Sequence, residues 1–203
     1  YLFRCILLKK TTEQIKYFYP NANIHVISDR PIESKDIIVH SFKTNQSNHC
    51  SKFEVFSLLN EPAMFMDSDI LMTRPFSKRH LRADSEFNLF TSYKPNKKYP
   101  TCGQYPHYNT GIIWIPHPSE SITRNILKFH KEYGIKENSD EYAISRYVDF
   151  KNLKINEHPD VNVYRANLDY QSFIREFQTI HYPRQKELFL KEYRKFHKKR
   201  ILI

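Results

Sequence analysis

The sequence predicts an α/β fold, a mixed and mostly parallel central sheet flanked by helices, on three observations. Short apolar runs alternate with segments of helical period through the first half of the 203 residues, as strands joined by crossover helices do. One such run, Ala63-Met64-Phe65-Met66, passes straight into Asp67-Ser68-Asp69 before apolar residues resume at Ile70-Leu71-Met72. Open α/β sheets bind ligands beyond the carboxyl ends of their strands, and Asp29 and the Asp67/Asp69 pair both fall at such ends.

Taken in order, Tyr1–Leu8 reads as a first strand, apolar on both faces as in a parallel, doubly wound sheet. Thr11–Tyr19 reads as a helix with Thr11 or Thr12 as cap and Pro20 as stop. Asn23–Ser28 forms a second strand, ended by Ser28-Asp29-Arg30-Pro31, and Asp36–Ser41 a third. Ser51–Leu59 is a helix with Phe53, Phe56 and Leu59 on one side, after which Pro62 leads into the Ala63–Met66 strand. Phe87–Ser92 is a strand, and Lys94–Tyr108 a loop rich in Lys, Pro and Tyr. The turn Tyr108-Asn109-Thr110-Gly111 feeds an apolar strand, Ile112-Ile113-Trp114-Ile115, in which Gly111 supplies an unusual backbone angle or lets a ligand come close. Ser119–Tyr133 and Asp140–Val148 are helices, Lys154–Tyr164 holds two short strands around Pro159, and a basic helix follows Lys186. No internal repeat, low-complexity linker or domain boundary interrupts the chain, which reads as one domain over 1–203.

Composition narrows the function classes. Hydrophobic residues at 40% with 15% aromatics specify a folded protein. Only three glycines are present, so no glycine-rich phosphate loop of either common kind exists; a bound nucleotide would rely on metal and basic side chains. The net charge of +10 suits nucleic acid or an acidic membrane surface. Much of it lies in Lys191, Arg194, Lys195, Lys198, Lys199 and Arg200, which equally form a solvated helix face. No zinc-finger spacing or RNA-recognition signature accompanies this charge. The expectation is no nucleic-acid partner, with peripheral membrane contact through the basic C-terminus left open. Cys5, Cys50 and Cys102 are odd in number and scattered, which argues against a disulfide framework or zinc site and for a reducing, cytoplasmic location. No apolar run approaches the roughly 20 residues that span a bilayer, and no signal peptide is visible. The chain opens directly in an apolar segment, as expected where residues precede it.

The aspartate pair carries the chemistry. If strand geometry persists through Asp69, the period of two puts both carboxylates on one face. Burying two like charges together is costly unless something positive sits between them. A divalent cation carrying a phosphate-bearing ligand fits that requirement. An ordinary strand end with a polar turn would also use short acidic residues, but the apolar segments on both sides favour the metal.

The order of motifs then resembles a family. Asp67-Ser68-Asp69 after an apolar strand, Asn109-Thr110-Gly111-Ile112-Ile113, Asp140-Glu141-Tyr142-Ala143-Ile144 and His181-Tyr182 together look like a GT-A glycosyltransferase. The likeness is closest to small retaining, metal-dependent enzymes that transfer galactose or glucose from a UDP-sugar, and it spans nearly the whole chain. The compact, glycine-poor, lysine-rich character is also similar to glycosyltransferases of large DNA viruses, such as those building chlorella-virus capsid glycans, which would place the protein in a host cytoplasm.

This resemblance implies roles. Residues 1–92 would form the nucleotide-binding half and 93–203 the sugar and acceptor half. Asp67 and Asp69 would hold Mn2+ or Mg2+ bridging the donor phosphates, with Ser68 beside them. His181 would be the third ligand, favouring Mn2+; its alternative is a histidine packed beside Tyr182. The family form continues with Gly and then Lys-Pro, whereas here Pro183-Arg184-Gln185-Lys186 follows, so Arg184 or Lys186 would take the phosphate contact. Asp29 would accept a hydrogen bond from the uracil ring, or simply form a turn. Lys52 would touch donor sugar or phosphate, or be a solvated first-turn lysine. Asn109 would bond sugar hydroxyls, with Gly111 permitting close approach. Asp140 and Glu141 would face the sugar hydroxyls and the anomeric carbon. Glu141 stands where glutamine is usual, and could stabilise an oxocarbenium-like transition state, act as nucleophile or serve as general base. The alternative for both is an acid pair favoured by a helix N-terminus. Tyr93, Tyr99, Tyr105 and His107 would lie on the acceptor side.

The implied activity is transfer of a hexose from UDP-glucose, UDP-galactose or a similar donor to a hydroxyl of a glycan or glycoprotein acceptor. Retention and slow donor hydrolysis are expected, with Glu141 leaving inversion open. Two rivals remain. A Mg2+-dependent nuclease or phosphotransferase would need further acids, with Asp84 and Glu86 nearest in sequence. A non-catalytic basic module for nucleic acid or glycan would leave the aspartates dispensable.

Overall fold

The computed structural model describes residues 2–28, 32–33, 35, 37–41, 51–56, 58–91, 108–118, 120–132, 140–158, 161, 163–164 and 179–200. In chain order they form α1 (Leu2–Phe18), β1 (His25–Ser28), β2 (Ile38–Ser41), α2 (Ser51–Phe56), β3 (Ala63–Met66), β4 (Ile70–Met72), β5 (Phe87–Thr91), β6 (Tyr108–Ile115), α3 (Glu120–Glu132), α4 (Asp140–Lys151), β7 (Ile155–Glu157), β8 (Val163–Tyr164), β9 (Thr179–His181) and α5 (Lys186–Arg200). The strands pair as β1-β2, as β3-β6-β5-β7 and as β4-β9-β8.

The architecture is the expected α/β arrangement of mixed sheet and helices. Among the described residues its pairings are evenly divided and not mostly parallel: β1–β2, β5–β7 and β8–β9 are parallel, and β3–β6, β5–β6 and β4–β9 are antiparallel. Alternation of strands and helices predicts parallel pairs only where a crossover joins sequence neighbours. Here β6 and β9 return from later in the chain to pair with β3 and β4, and both returns run antiparallel.

Side-chain period follows this layering. Ile113 and Ile115 of β6 face a core formed with Phe53 and Phe56 of α2, Ile126 and Phe129 of α3 and Ile144, Tyr147 and Val148 of α4. Ile112 and Trp114, on the opposite face of the same strand, join Ile70, Met72, Phe76 and Val161. In β4 the alternation repeats, with Leu71 turned to a third cluster of Leu7, Ile180, Tyr182, Phe189 and Tyr193. Sheets covered on both faces explain why these strands read as continuous apolar runs.

The first segment departs from expectation. Tyr1–Leu8 was expected as a strand, yet residues from Leu2 onward belong to α1, which runs unbroken to Phe18 before Pro20. A short apolar run cannot by itself distinguish a buried strand from a buried helix. No Gly or Pro separates Leu8 from Thr11, so Thr11 and Thr12 lie mid-helix and cap nothing. Leu7, Thr11 and Gln14, spaced four and three apart, are its buried face.

That face braces the aspartate segment. The Gln14 amide donates through Nε2 to the Ile70 carbonyl at 2.6 Å and accepts from the Met72 N–H at 2.9 Å. It therefore serves the outer edge of β4 as a neighbouring strand would. The Thr11 hydroxyl donates to the Ser68 carbonyl at 2.7 Å. At its far side α1 meets α5, where Glu13 accepts from Lys10 at 2.7 Å and from the Tyr193 hydroxyl at 2.8 Å. Burial alone would raise the Glu13 pKa, but those hydrogen bonds and the charges of Lys10 and Lys9 outweigh it and hold the carboxyl below its usual value.

Replacing Gln14 by Ala leaves a buried carbonyl and N–H of β4 without partners, at about 2–4 kcal/mol of stability; urea unfolding should show the loss. Because the folded pKa of Glu13 is depressed, its contribution is present above the usual glutamate value of about 4.5 and fades as pH falls through the folded value. The Glu13→Gln variant should therefore show a shallower acid limb than wild type when Tm is followed from pH 6 to pH 3.

Candidate active site

Strand geometry does not persist through Asp69. Hydrogen-bonded strand ends at Met66, and Asp67, Ser68 and Asp69 turn the chain out of one sheet and into β4 of another. The carboxylates meet through this turn instead of through the two-residue period. Both ends of the turn are held. The Asp67 N–H donates to the Gly111 carbonyl at 2.8 Å, and the Asp69 carbonyl accepts from the Tyr182 N–H at 3.0 Å.

The second bond belongs to the β4–β9 ladder, which pairs Ile70 with His181 and so sets the imidazole against the turn. His181 Nε2 lies 3.2 Å from Asp69 Oδ1 and 3.7 Å from Asp67 Oδ2. Asp67, Asp69 and His181 each offer a ligand atom, all within 4.8 Å of one another. Two carboxylate oxygens and an imidazole can serve a divalent cation as ligands, and the half-buried carboxylates leave the site accessible. Burial pushes the Asp67 carboxyl above its usual range, and the neighbouring Asp69 and Asp140 push it further, against the opposing pull of Lys52 and His181. Negative charge is thus in excess where a cation would sit.

Lys52, on α2, is buried and makes the opposing contacts. Its ammonium pairs with Asp140 Oδ2, lies 3.7 Å from Asp67 Oδ1 and reaches the Thr110 carbonyl and hydroxyl at 3.3 and 3.4 Å. The Phe65 ring lies beneath it at 4.7 Å. Burial would depress its pKa, but Asp67 and Asp140 outweigh that and raise it, so the charge is held. This is no solvated first-turn lysine. Asp140, also buried, accepts a second hydrogen bond from the Thr110 hydroxyl. It opens α4, and its Oδ2 takes both the Lys52 and the Thr110 contact.

Asn109, Thr110 and Gly111 stand in an irregularity of β6. Along β5, Leu89 pairs with Ile113 while its neighbour Phe90 pairs with Asn109, so residues 110–112 bulge from the ladder. Bulges re-aim strand residues beside functional sites. Here the bulge delivers the Thr110 hydroxyl to Asp140 and the Gly111 carbonyl to Asp67. Asn109 is fully buried and its Oδ1 accepts from the Gly111 N–H at 2.8 Å, which fixes the bulge. Glu141 is half-buried at the start of α4, its carbonyl accepting from the Ser145 hydroxyl at 2.7 Å. Ser68 is exposed at the tip of the turn.

Beyond His181, Gln185 N–H donates to the Tyr182 carbonyl at 3.0 Å, closing a turn in which Arg184 has φ 62°. A left-handed backbone at a non-glycine residue costs about 1 kcal/mol or more. Arg184 is exposed, and Lys186 opens α5 half-buried. Asp29, Tyr93, Tyr99, Tyr105 and His107 lie outside the described residues. Asp84 is bound to Arg82 and to Lys154 at 3.3 Å, and neither it nor Glu86 joins the ligand group. Thr110, Thr11 and Gln14 escaped the sequence: Thr110 sat inside the Asn-Thr-Gly motif, whereas Thr11 and Gln14 offered only helical spacing.

Removing the buried Lys52 charge by Lys52→Met leaves Asp67 and Asp140 facing each other uncompensated, at about 3–5 kcal/mol. Chemical denaturation should show that loss, and Asp140→Asn in the same chain should restore part of it.

No protein-family model and no curated protein matches the sequence. Solved structures do match the fold. An active-site mutant of LgtC aligns with TM-score 0.61 at 10% identity over 87% of this chain and 82% of that one. Galactosyltransferase LgtC in complex with donor and acceptor sugar analogs gives 0.59 at 10% identity over the same shares, 87% and 82%. A glycosyltransferase involved in glycosylation of the major capsid of PBCV-1 gives 0.59 at 13% identity over 92% and 93%. The chain has the GT-A fold that these glycosyltransferases share.

Proposed function

We propose that the protein is a metal-dependent glycosyltransferase that moves a hexose from a UDP-sugar to a hydroxyl acceptor, with retention at the anomeric carbon. The observation that carries it is the convergence of Asp67, Asp69 and His181 with the Lys52–Asp140 pair. Two carboxylates and an imidazole form a metal-binding trio, and a buried cation joins that trio to the residues assigned to the sugar.

Asp67, Asp69 and His181 hold the divalent ion, which, when bound, offsets the charge that grows on the departing diphosphate. Lys52 favours the ionised form of Asp67, pairs with Asp140 and fixes the separation of the two. Asp140, oriented by Lys52 and Thr110, accepts hydrogen bonds from sugar hydroxyls. The Glu141 carboxylate stabilises positive charge at the anomeric carbon as its bond to the diphosphate oxygen breaks. The electron pair of that bond leaves with UDP. The acceptor oxygen bonds the same carbon, and its proton passes to the departing diphosphate. Water in place of the acceptor gives slow donor hydrolysis. A nuclease reading loses support because its further acids, Asp84 and Glu86, stand apart from the trio.

The test is thermal unfolding with UDP, UDP-glucose, UDP-galactose, ATP and oligonucleotides, each with and without Mn2+. UDP and its sugars should raise Tm only with Mn2+, and EDTA should reverse the gain. The double replacement Asp67→Ala, Asp69→Ala should erase this response while leaving a cooperative transition. Stabilisation by oligonucleotide but not by UDP with Mn2+ would sink the proposal.

A further inference from the structure

We infer that His25 and His40 form a proton-operated latch between β1 and β2. It is closed while one proton is shared between the two rings, and it opens when acid supplies each ring with a full set. The inference goes beyond the transferase proposal and does not depend on it.

Placement comes first. β1 and β2 run parallel, with His25 beside Ile38 and Ile27 beside His40. Alternation therefore puts both histidines on one face of the pair, two residues apart along the strands. Ile24 and Val26 are buried on the opposite face, and the histidines are half-buried. Among the described residues β1 and β2 form a sheet of two strands, and two strands by themselves are only marginally held together. A side-chain tie across them carries weight that it would lack in a wide sheet.

Geometry identifies the contact. His25 Nδ1 lies 2.8 Å from His40 Nε2. The ring centroids are 5.1 Å apart and the planes 11° from parallel. Each nitrogen stands one ring radius from its own centroid. The 5.1 Å separation equals the 2.8 Å gap plus both radii only when the two nitrogens lie on the line joining the centroids. The rings are thus edge to edge and nearly coplanar, with their nitrogens pointing head-on at each other. Two ligands of one metal ion would aim at a common third point. Head-on nitrogens make an N–H···N hydrogen bond, in which one ring donates and the other accepts.

Chemistry makes that bond depend on the proton count. The first proton taken up in acid goes to the outward nitrogen of the donor ring, and the bond survives with a charge behind it. The second has only the shared gap to enter. It removes the acceptor and sets two imidazolium rings edge to edge, so the pair resists full protonation as a unit. The surroundings act in the same direction. Burial, then His40, lower the His25 pKa against the opposing charge of Glu61, which is exposed on the segment before β3. Because the folded value is depressed, closure is stable above the usual histidine value of 6.5 and is lost as pH falls below it. β1 ends at Ser28 and Asp29 follows directly, so the latch holds the strand leading to the residue assigned to uracil.

The experiment follows hydrogen exchange at pH 7.5 and pH 5.0 in wild type, His40→Gln and His25→Asn, as full chains. The glutamine amide stands in for Nε2 and the asparagine amide for Nδ1, so each variant keeps a hydrogen-bonding group in the gap that acid does not protonate. The reporter is Ile38, whose N–H donates to the Ile24 carbonyl at 2.8 Å, and the β3–β6 ladder is the control. Protection is corrected for the intrinsic pH dependence of exchange. Wild-type protection at Ile38 should fall about tenfold between the two pH values, the weight of one pKa unit. The control ladder should hold, and each variant should lose less than roughly threefold. A wild-type loss below threefold overturns the inference. So does an equal loss in the variants, or a loss of the β3–β6 ladder in step with Ile38. Imidazole 15N NMR of wild type gives a reading without substitution: at pH 7.5 one facing nitrogen should be protonated and the other bare. Two bare or two protonated facing nitrogens would overturn the latch whatever the variants do.

Discussion

Two carboxylates, Asp67 and Asp140, converge on one buried ammonium with a third, Asp69, beside them, and much of the site is arranged around keeping that imbalance tolerable. Lys52 pairs with Asp140 and approaches Asp67, while Asp69 is left to His181. Burial, with the charges of Asp69 and Asp140 added to it, raises the Asp67 pKa despite the opposing pull of Lys52 and His181. The fold bears this cost by building rigid support beneath each charged group. A site with net negative charge and fixed geometry is poised for a divalent cation, because the ion recovers electrostatic energy already spent in folding.

The support comes from both sides of the sequence. From before the turn, α1 lends Thr11 and Gln14 to Ser68, Ile70 and Met72. From after it, the β6 bulge lends the Gly111 carbonyl to Asp67, and Tyr182, the residue after β9, lends its N–H to Asp69. Each of these is a backbone-directed bond, so the turn is held by its main chain and its side chains are left for ligands. Loops that carry function on a rigid scaffold are built this way.

The two halves of the proposed mechanism are mechanically joined. Thr110 lies between Asn109 and Gly111, bonds Asp140 through its hydroxyl and Lys52 through its carbonyl. Gly111 next to it fixes Asp67. A displacement of the bulge would therefore move metal ligand and sugar-side acid together. Contacts of this kind couple sites through packed, hydrogen-bonded elements with little freedom to move separately.

Several elements were legible from residue order alone. Apolar runs located β3, β5 and β6, helical spacing located α3 and α4, and the Asp-Ser-Asp turn stood out because acids rarely interrupt such runs. Residue types also nominated Lys52, Asp140 and His181, but each with an ordinary structural alternative that sequence could not dismiss. The first helix was mistaken for a strand because period is uninformative in a short apolar run, and its length became evident only from the contacts of Leu7, Thr11 and Gln14. Tertiary structure decided which candidates meet. The antiparallel return of β9 against β4 brings His181 to Asp69, and the bulge in β6 brings Thr110 to Asp140. Strand registry and bulges depend on partners far away in sequence, and the left-handed φ of Arg184 depends on a turn closed by a backbone hydrogen bond. Local composition carries no record of either, so the sequence by itself determined the chemistry on offer and the fold alone determined its assembly.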